Sequence, residues 1–251
     1  MEAFTELLTA LPLDTGMAFV LVQHLEAEHE SMLTELLSKV TQIPVTEVRH
    51  GMRVEPNHVY VIRANTDLSL AGGVLRTSGR RAAAGRHLPI DNFFSTLAET
   101  QGHLAIGVIL SGTASDGTLG LKAIKAAGGI TFAQEPKSAK FDGMPKSALL
   151  AGCVDFVLPP ERIARELSQI TLHSYAGLPN LEKEYPLVPA WDEDWIRIFK
   201  LLREASAVDF TFYKKPTISR RIARRMALKK IERLSDYLKI LQSDQIGRVH
   251  V

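Results

Sequence analysis

The stretch AIGVILSGTASDGTLGLKAIKAAG, residues 105–128, decides the fold of this chain. Its first six residues are apolar or glycine without alternation, which is typical of a strand buried on both faces of a parallel sheet. A loop of small and polar residues follows, and an amphipathic segment then predicts a helix over 118–127. Strand, loop and helix in this order are the repeating part of a βαβ unit, so the stretch indicates an α/β protein.

The same alternation continues through the first 170 residues. Apolar runs predict strands at 19–22, 59–62, 105–110, 130–133 and 154–158, and amphipathic segments predict helices at 3–10, 31–40, 91–100, 118–127 and 161–170. The Gly72-Gly73 pair predicts the turn of a hairpin over 68–77. We therefore expect a doubly wound, mostly parallel α/β sheet over residues 1–172.

A small all-α domain is predicted after this sheet. Residues 173–190 contain three prolines without a sustained period and indicate a linker. Helices are predicted at 191–206, 216–230 and 234–242, which gives a helical domain over 191–245. From Trp191 onward the chain has 14 Lys and Arg against 8 Asp and Glu, whereas residues 1–190 have 16 against 20. This difference in charge favours two domains with different partners.

Composition excludes several classes of protein. A hydrophobic content of 45% and a charged content of 23% are ordinary for a soluble globular chain. The longest apolar runs are too short to cross a bilayer, and no secretion signal is evident, so we expect no membrane insertion. The single cysteine, Cys153, excludes an internal disulfide and fits a reducing compartment. A cytoplasmic location is therefore expected.

Two predicted strands end in residues that could carry chemistry. The strand at 19–22 runs into Gln23 and His24, and the strand at 105–110 runs into the loop that contains Asp116. Sites in open α/β sheets lie beyond the carboxyl ends of the strands. If the two strands are neighbours, Asp116 would hold one ring nitrogen of His24 and the other nitrogen would act as a general base. This pair is two-thirds of a nucleophile–histidine–aspartate triad.

Other interpretations of these residues stay open. His24 could be an ordinary polar residue at a strand end, and Asp116 could cap the helix that follows it. The 111–118 loop could bind a phosphate or nucleotide at a helix N-terminus, although it lacks the Walker lysine spacing and the GxGxxG pattern. A metal site is not expected. His24, Glu26, Glu28 and His29 cluster in sequence, but histidines five residues apart do not share one face of a helix.

A basic segment, SRRIARRMALKKI at 219–231, lies in the predicted helical domain. Ile218, Ile222 and Met226 form an apolar stripe, so the arginines face away from it; they are Arg220, Arg221, Arg224 and Arg225. Such a face is a solvated surface, a docking surface for an acidic partner, or a nucleic-acid patch. The run contains no aromatic residue and the net charge of the chain is only +2, which argues against nucleic acid.

Several motifs taken together resemble one family. VQHL, PNHVYVI, PIDNFFSTLAE, VILSGTASDGTLGLKAIKAAGG, TFAQEP and DGMPKSALLAGCVDFVLPPERIA follow one another as in CheB-type chemotaxis methylesterases. The resemblance covers about residues 1–170. It implies hydrolysis of glutamate methyl esters, and deamidation of glutamines, on chemoreceptors by a Ser-His-Asp triad without a cofactor. His24 and Asp116 match the family histidine and aspartate. Thr113 matches a residue whose backbone N–H lies near the oxyanion, and Met144 and Pro145 match a segment beside the cleft.

The resemblance also implies a serine that this sequence lacks. In the family the serine lies in a glycine-rich turn between a strand and the helix that corresponds to residues 2–10. Ser111 and Ser115 do not replace it, because they flank the aspartate. We therefore expect this chain to lack the nucleophile and to be inactive as an esterase. We also expect the missing strand to leave two neighbouring strands without a partner.

The C-terminal part resembles a second family. VDFTFYKKPTISRRIARRM is similar to the N-terminal helical domain of CheR-type chemoreceptor methyltransferases. The resemblance implies that the basic helix lies against the cytoplasmic methylation helices of a receptor. S-adenosylmethionine would bind a later domain that is absent from this sequence. A non-catalytic receptor-binding module is the alternative to an esterase.

Overall fold

The computed structural model of the chain describes residues 1–23, 30–63, 66–79, 87–172, 193–206, 209–210, 215–231 and 233–243. The chain divides into two compact units, Met1–Thr171 and Leu172–Val251. The predicted linker at 173–190 lies outside the described residues. In the first unit the elements are α1 (Glu2–Ala10), β1 (Ala18–Leu21), α2 (Glu30–Ser38), β2 (Val45–Glu47), β3 (Met52–Arg53), β4 (His58–Val61), β5 (Thr66–Ala71), β6 (Val74–Gly79), α3 (Pro89–Gln101), β7 (Ile106–Ile109), α4 (Thr118–Ala126), β8 (Ile130–Gln134), α5 (Gly143–Leu150), β9 (Phe156–Leu158) and α6 (Pro160–Leu172).

The described strands form two parallel sheets and one antiparallel sheet. The parallel sheets have the orders β1-β4-β2 and β7-β8-β9, with Phe19 opposite Val59 and Val108 opposite Phe132. The antiparallel sheet has the order β3-β6-β5, and its β5–β6 hairpin turns at Gly72 and Gly73 as predicted. The α/β class and the mostly parallel sheet are therefore confirmed.

The strands in the middle of the two parallel sheets are more buried than β1 and β7. All five residues of β8 are buried, as are three of the four in β4. By contrast, Ala18, Phe19 and Val20 in β1 and Ile106 and Val108 in β7 are only partly buried. Both strands lie at the edge of their sheets although both are apolar. That this edge position results from a missing strand between them stays a prediction.

One hydrophobic cluster joins the elements that position the site. It includes Tyr60 of β4, Leu75 of β6, Phe93 of α3 and Leu121 of α4, each no more than 2% exposed. Helices α3 and α4 pack closely because Gly120 of α4 faces Phe94 and the backbone of Asp91, where a Cβ would not fit. The N-termini of the two helices are thereby brought together.

The second unit contains α7 (Glu193–Ser206), α8 (Lys215–Leu228) and α9 (Leu234–Ser243). These helices share a core that includes Phe199, Ile218, Ile222 and Tyr237, against which Met226 packs. The predicted apolar stripe of the basic helix is thus confirmed. The helical unit therefore has a hydrophobic core of its own.

Candidate active site

The carboxylate of Asp116 lies at the centre of the loop that follows the carboxyl end of β7. The residue is 2% exposed. Its Oδ2 accepts the backbone N–H of Ile90 at 3.1 Å, and its Oδ1 accepts those of Asp91 at 3.0 Å and Gly117 at 2.8 Å. Three backbone donors therefore fix the position of this buried charge and replace the water that burial removes.

Asp116 supplies the cap that α3 lacks. The first four N–H groups of a helix have no partner within the helix. Pro89 has none to donate, Ile90 and Asp91 donate to Asp116, and Asn92 donates to the carbonyl of Leu88 at 3.1 Å. Leu88, at the N-cap position, has no side-chain capping bond. The suggestion that Asp116 caps the helix after it is therefore wrong, because its oxygens accept from the N-terminus of α3 rather than from the first turn of α4.

Asp91 plays the reciprocal part for α4. Its Oδ1 accepts the backbone N–H of Gly120, the third residue of α4, at 2.7 Å. Burial raises the pKa of the Asp91 carboxyl, the N–H of Gly120 opposes that rise, and the negative charge of Asp116 adds to it. Two buried carboxylates thus cap each other's helices. Asp91 was not predicted as a site residue, although an acidic residue in the first turn of a helix indicates a charge placed to stabilise a helix start.

The loop is also held from the α5 side. The backbone N–H of Ser111 donates to Oε1 of the buried Gln134 at 2.8 Å, and Oγ of Ser111 accepts the N–H of Phe141 at 2.9 Å. The N–H of Met144 donates to the carbonyl of Gly112 at 2.9 Å, and its side chain packs over Gly112. Met144 therefore packs against the loop that contains Asp116, and its place beside a catalytic cleft stays a prediction.

The other residues that the sequence predicted for this site differ in how exposed they are and in whether the structure describes them. Thr113 is exposed in the loop, while Pro145 is buried in the first turn of α5, where a proline is tolerated. Ser111 is held in the bonds to Gln134 and Phe141. His24 lies outside the described residues, and so do Glu26, Glu28 and His29. The distance from His24 to Asp116 stays a prediction.

The geometry argues against phosphate binding at the 111–118 loop. An anion at a helix N-terminus needs backbone N–H groups that point at it. At α4, the N–H of Gly120 donates to Asp91 and that of Gly117 donates to Asp116. Two buried carboxylates in these places would repel a phosphate. The loop is built around fixed negative charge, which suits a neighbouring cation such as an imidazolium.

Neither a metal centre nor a membrane span is found in the part of the chain that the structure describes. No three His, Cys, Asp or Glu side chains there converge as metal ligands. None of the helices in these ranges has the length and apolarity that a bilayer crossing requires.

The basic helix of the second unit exposes part of its charge. Arg221 is exposed, and Arg224 and Arg225 are partly buried. The side chain of Arg220 lies outside the described part of the structure. The two buried isoleucines of this helix point into the core, which leaves the arginines on the remaining faces.

The first unit is thus a mostly parallel α/β fold with a buried aspartate in the loop that follows a parallel strand. The family model "CheB methylesterase" matches residues 1–167, which is more than half of the chain. The chain therefore belongs to the CheB methylesterase family. A second family model, "CheR methyltransferase, all-alpha domain", matches residues 193–249.

Named relatives and a solved structure agree with this family. The chain is 39% identical over 171 residues to protein-glutamate methylesterase/protein-glutamine glutaminase 2 of Burkholderia lata, covering 67% of this chain and 50% of that protein. It is 26% identical, with a TM-score of 0.62, to the crystal structure of the Thermotoga maritima CheB methylesterase catalytic domain, covering 67% of this chain and 92% of that one.

One relative matches beyond the methylesterase part. An uncharacterized 104.1 kDa protein of Rhodobacter capsulatus is 35% identical over 233 residues, which is 85% of this chain and 24% of that protein. The chain thus spans a quarter of this relative and about half the length of the methylesterases that it matches.

Proposed function

We propose that this chain is part of a chemoreceptor adaptation protein in the cytoplasm. Residues 1–172 are its methylesterase domain, 173–190 a linker, and 191–245 a receptor-docking helical domain. The observation that carries the proposal is the buried Asp116 carboxylate, fixed by three backbone N–H groups at the carboxyl end of β7 in a chain of this family. The substrates are methyl-esterified glutamates, and glutamines, on receptor helices.

In the proposed reaction, a serine attacks the ester carbonyl while His24 takes its proton. Asp116 holds the imidazole in one tautomer and stabilises the imidazolium, which then protonates methanol as it leaves. The N–H of Thr113 lies where the oxyanion develops, and Met144 and Pro145 line the cleft. The serine belongs to a segment N-terminal to α1 and is not among residues 1–251. No cofactor takes part, since S-adenosylmethionine would serve a separate methyltransferase domain.

One packing observation supports the pairing of His24 with Asp116. Val22, two residues before His24, packs against the hydrophobic cluster that includes Ile90, Ile109 and Met144. Ile90 also donates its N–H to Asp116, and Met144 contacts the same loop. Val22 therefore packs on the same core as the residues around Asp116, and we expect a separation of about 2.6–3.2 Å between a ring nitrogen of His24 and an Asp116 oxygen.

Methanol release from methylated receptor fragments tests the esterase. The 251-residue chain should release none above background, and a longer chain that includes the serine turn should be active. In that chain Asp116→Asn should lower kcat by about 10⁴-fold, because the imidazole loses its tautomer control. Asp142→Ala, at an exposed ion pair with Lys146, is the matched control and should leave kcat unchanged.

Two results would overturn this assignment. Hydrolysis by the 251-residue chain that is abolished by His24→Ala but by no serine substitution would show that a serine is dispensable. A longer chain that binds methylated receptor without any turnover would instead favour the non-catalytic binding module.

The basic helix is proposed to bind the acidic methylation helices of the receptor. Replacing Arg221 and Arg224 with alanine should weaken binding to a receptor cytoplasmic fragment about tenfold or more, most clearly at low salt. Arg197→Ala with Lys239→Ala removes the same charge from α7 and α9 and should have a smaller effect. Calorimetric titration measures both. Tighter, salt-sensitive binding to nucleic acid than to receptor would contradict the proposal.

A further inference from the structure

Asp91 is the one buried carboxylate of the site to which the proposed reaction gives no role. It is 7% exposed, and its carboxylate accepts a hydrogen bond from the backbone of α4. Its own backbone N–H donates to Asp116. One residue therefore touches Asp116 through its main chain and the helix beside Asp116 through its side chain.

These contacts form a closed ring. Asp116 accepts from Ile90 and Asp91 at the start of α3, and Asp91 accepts from Gly120 at the start of α4. Gly117, between Asp116 and α4, donates to Asp116 as well. The N–H groups of Ile90 and Asp91 thus hold Asp116 against the start of α3. The side chain of Asp91 holds the start of α4 against the same place. A change that frees α4 from Asp91 removes a contact that holds the peptide between Asp116 and α4.

The orientation of the Asp116 carboxylate is fixed by the three backbone N–H groups of Ile90, Asp91 and Gly117. A carboxylate has about four acceptor positions, so these bonds also determine the directions in which it can accept further hydrogen bonds. A general base needs its orienting carboxylate held within about 0.5 Å of the productive geometry.

We propose that Asp91 is a positioning residue for the reaction: by clamping α4 to α3 it holds the Asp116 carboxylate in the orientation that engages His24. The inference rests on the proposed function. Asp91 touches neither substrate nor reacting atoms, and it acts through the N–H of Gly120. Its negative charge is incidental to this role, because an uncharged acceptor of the same shape fills the same place.

The test is a titration of His24 by NMR in the 251-residue chain, with the low-field ring N–H resonance followed in parallel. Asp116→Asn should lower the pKa of His24 by about one unit or more, because the anion that stabilises the imidazolium is lost. Asp91→Ala should cause a shift in the same direction and weaken the low-field resonance. Asp91→Asn, which keeps an acceptor for Gly120, should leave both near their original values.

Two further variants distinguish the placement of the Asp91 carboxylate from its charge and from a general loss of stability. Asp91→Glu keeps the charge but lengthens the side chain by one methylene, so it should lower the pKa of His24 as Ala does, and it decides the matter if Asp91→Ala does not fold. Asp155→Ala is the matched control. The side chain of Asp155 is only 7% exposed and accepts the N–H of Thr131 at 3.0 Å, but at the amino end of β8, so its loss should destabilise the fold without changing the pKa of His24.

The outcomes distinguish this inference from the proposed function. If Asp116→Asn leaves His24 unchanged, the His24–Asp116 pair fails and the proposed function with it. If Asp116→Asn shifts His24 but Asp91→Ala and Asp91→Glu do not, Asp91 is a purely structural cap. If Asp91→Asn shifts His24 as much as Asp91→Ala does, the effect is one of charge, and the positioning role is overturned.

Discussion

Two aspartates of the first unit and one of the second unit have opposite surroundings. In the first unit Asp91 and Asp116 are buried and accept backbone N–H groups from helices distant in sequence. In the second unit Asp236 pairs with Lys239, three residues away on the same exposed helix surface, at 2.9 Å. Buried carboxylates must be fully satisfied and therefore specify structure, whereas exposed ion pairs contribute little to stability. This contrast predicts that removing a buried aspartate lowers the stability of the first unit, whereas removing Asp236 hardly affects that of the second.

The largest difference is expected when the units are separated. Residues 1–172 alone should be poorly soluble, because β1 and β7 present apolar, partly exposed edge strands that can pair with other molecules. Residues 191–245 should fold reversibly, because α7, α8 and α9 share a core of their own. Light scattering and circular dichroism melts check both. A sharp, cooperative melt of soluble 1–172 would mean that its sheets do not need another strand.

Removing the Asp116 carboxylate should give the next largest effect, a decrease in the free energy of unfolding. Asp116→Ala leaves the N–H groups of Ile90, Asp91 and Gly117 without their acceptor, and each unsatisfied buried group costs about 1–3 kcal/mol. Because removal of the charge also relieves its repulsion of Asp91, we expect a net loss of about 2–4 kcal/mol in urea unfolding. Asp236→Ala should change stability by less than the error of that measurement. Equal losses of stability in Asp116→Ala and Asp236→Ala would contradict the contrast between buried and exposed aspartates.

The smallest expected effect is a pair of pH dependences with opposite signs. Burial raises the pKa of Asp91, so between its unfolded value, about 3.9, and its folded value the native state holds a proton that the unfolded state has lost. Stability therefore falls as pH rises through that window. Lys239 lowers the pKa of Asp236, so its contribution is present above about pH 3.9 and is lost as pH falls through the folded pKa.

Urea unfolding from pH 3 to 7, compared with Asp91→Asn and Asp236→Asn, checks these signs. Asp91→Asn should remove the decline, and Asp236→Asn should remove a shallow rise that salt also suppresses. A decline that persists in Asp91→Asn would assign it to another buried group.

Elements set by local pattern could be predicted, and those set by distant contacts could not. The apolar runs located β1, β4, β7, β8 and β9, and the glycine pair located the β5–β6 turn. The short strands β2 and β3 were missed because two or three residues show no period. Helix α5 was missed because it has only 8 residues and begins with Gly143, Met144 and Pro145, of which glycine and proline are poor helix formers.

The candidate site shows the same limit. Asp116 and Met144 were proposed as site residues from motifs, but the bonds from Ile90 and Asp91 to Asp116 were not foreseen, since these residues lie 26 and 25 positions earlier in the chain. One signal was available. Leu88 precedes α3 and cannot cap it, so a cap had to come from elsewhere in the fold.

The exchange of caps between α3 and α4 has a consequence for how this region folds. The first turn of each helix depends on a distant residue, because the acceptor for Ile90 lies in the loop before α4 and the acceptor for Gly120 lies in α3. Strand β7 lies between them in the chain, so all three must dock before either helix start is stable. We therefore expect the starts of α3 and α4 to form and open as one cooperative unit, with the amide protons of Ile90 and Gly120 exchanging through a single shared opening.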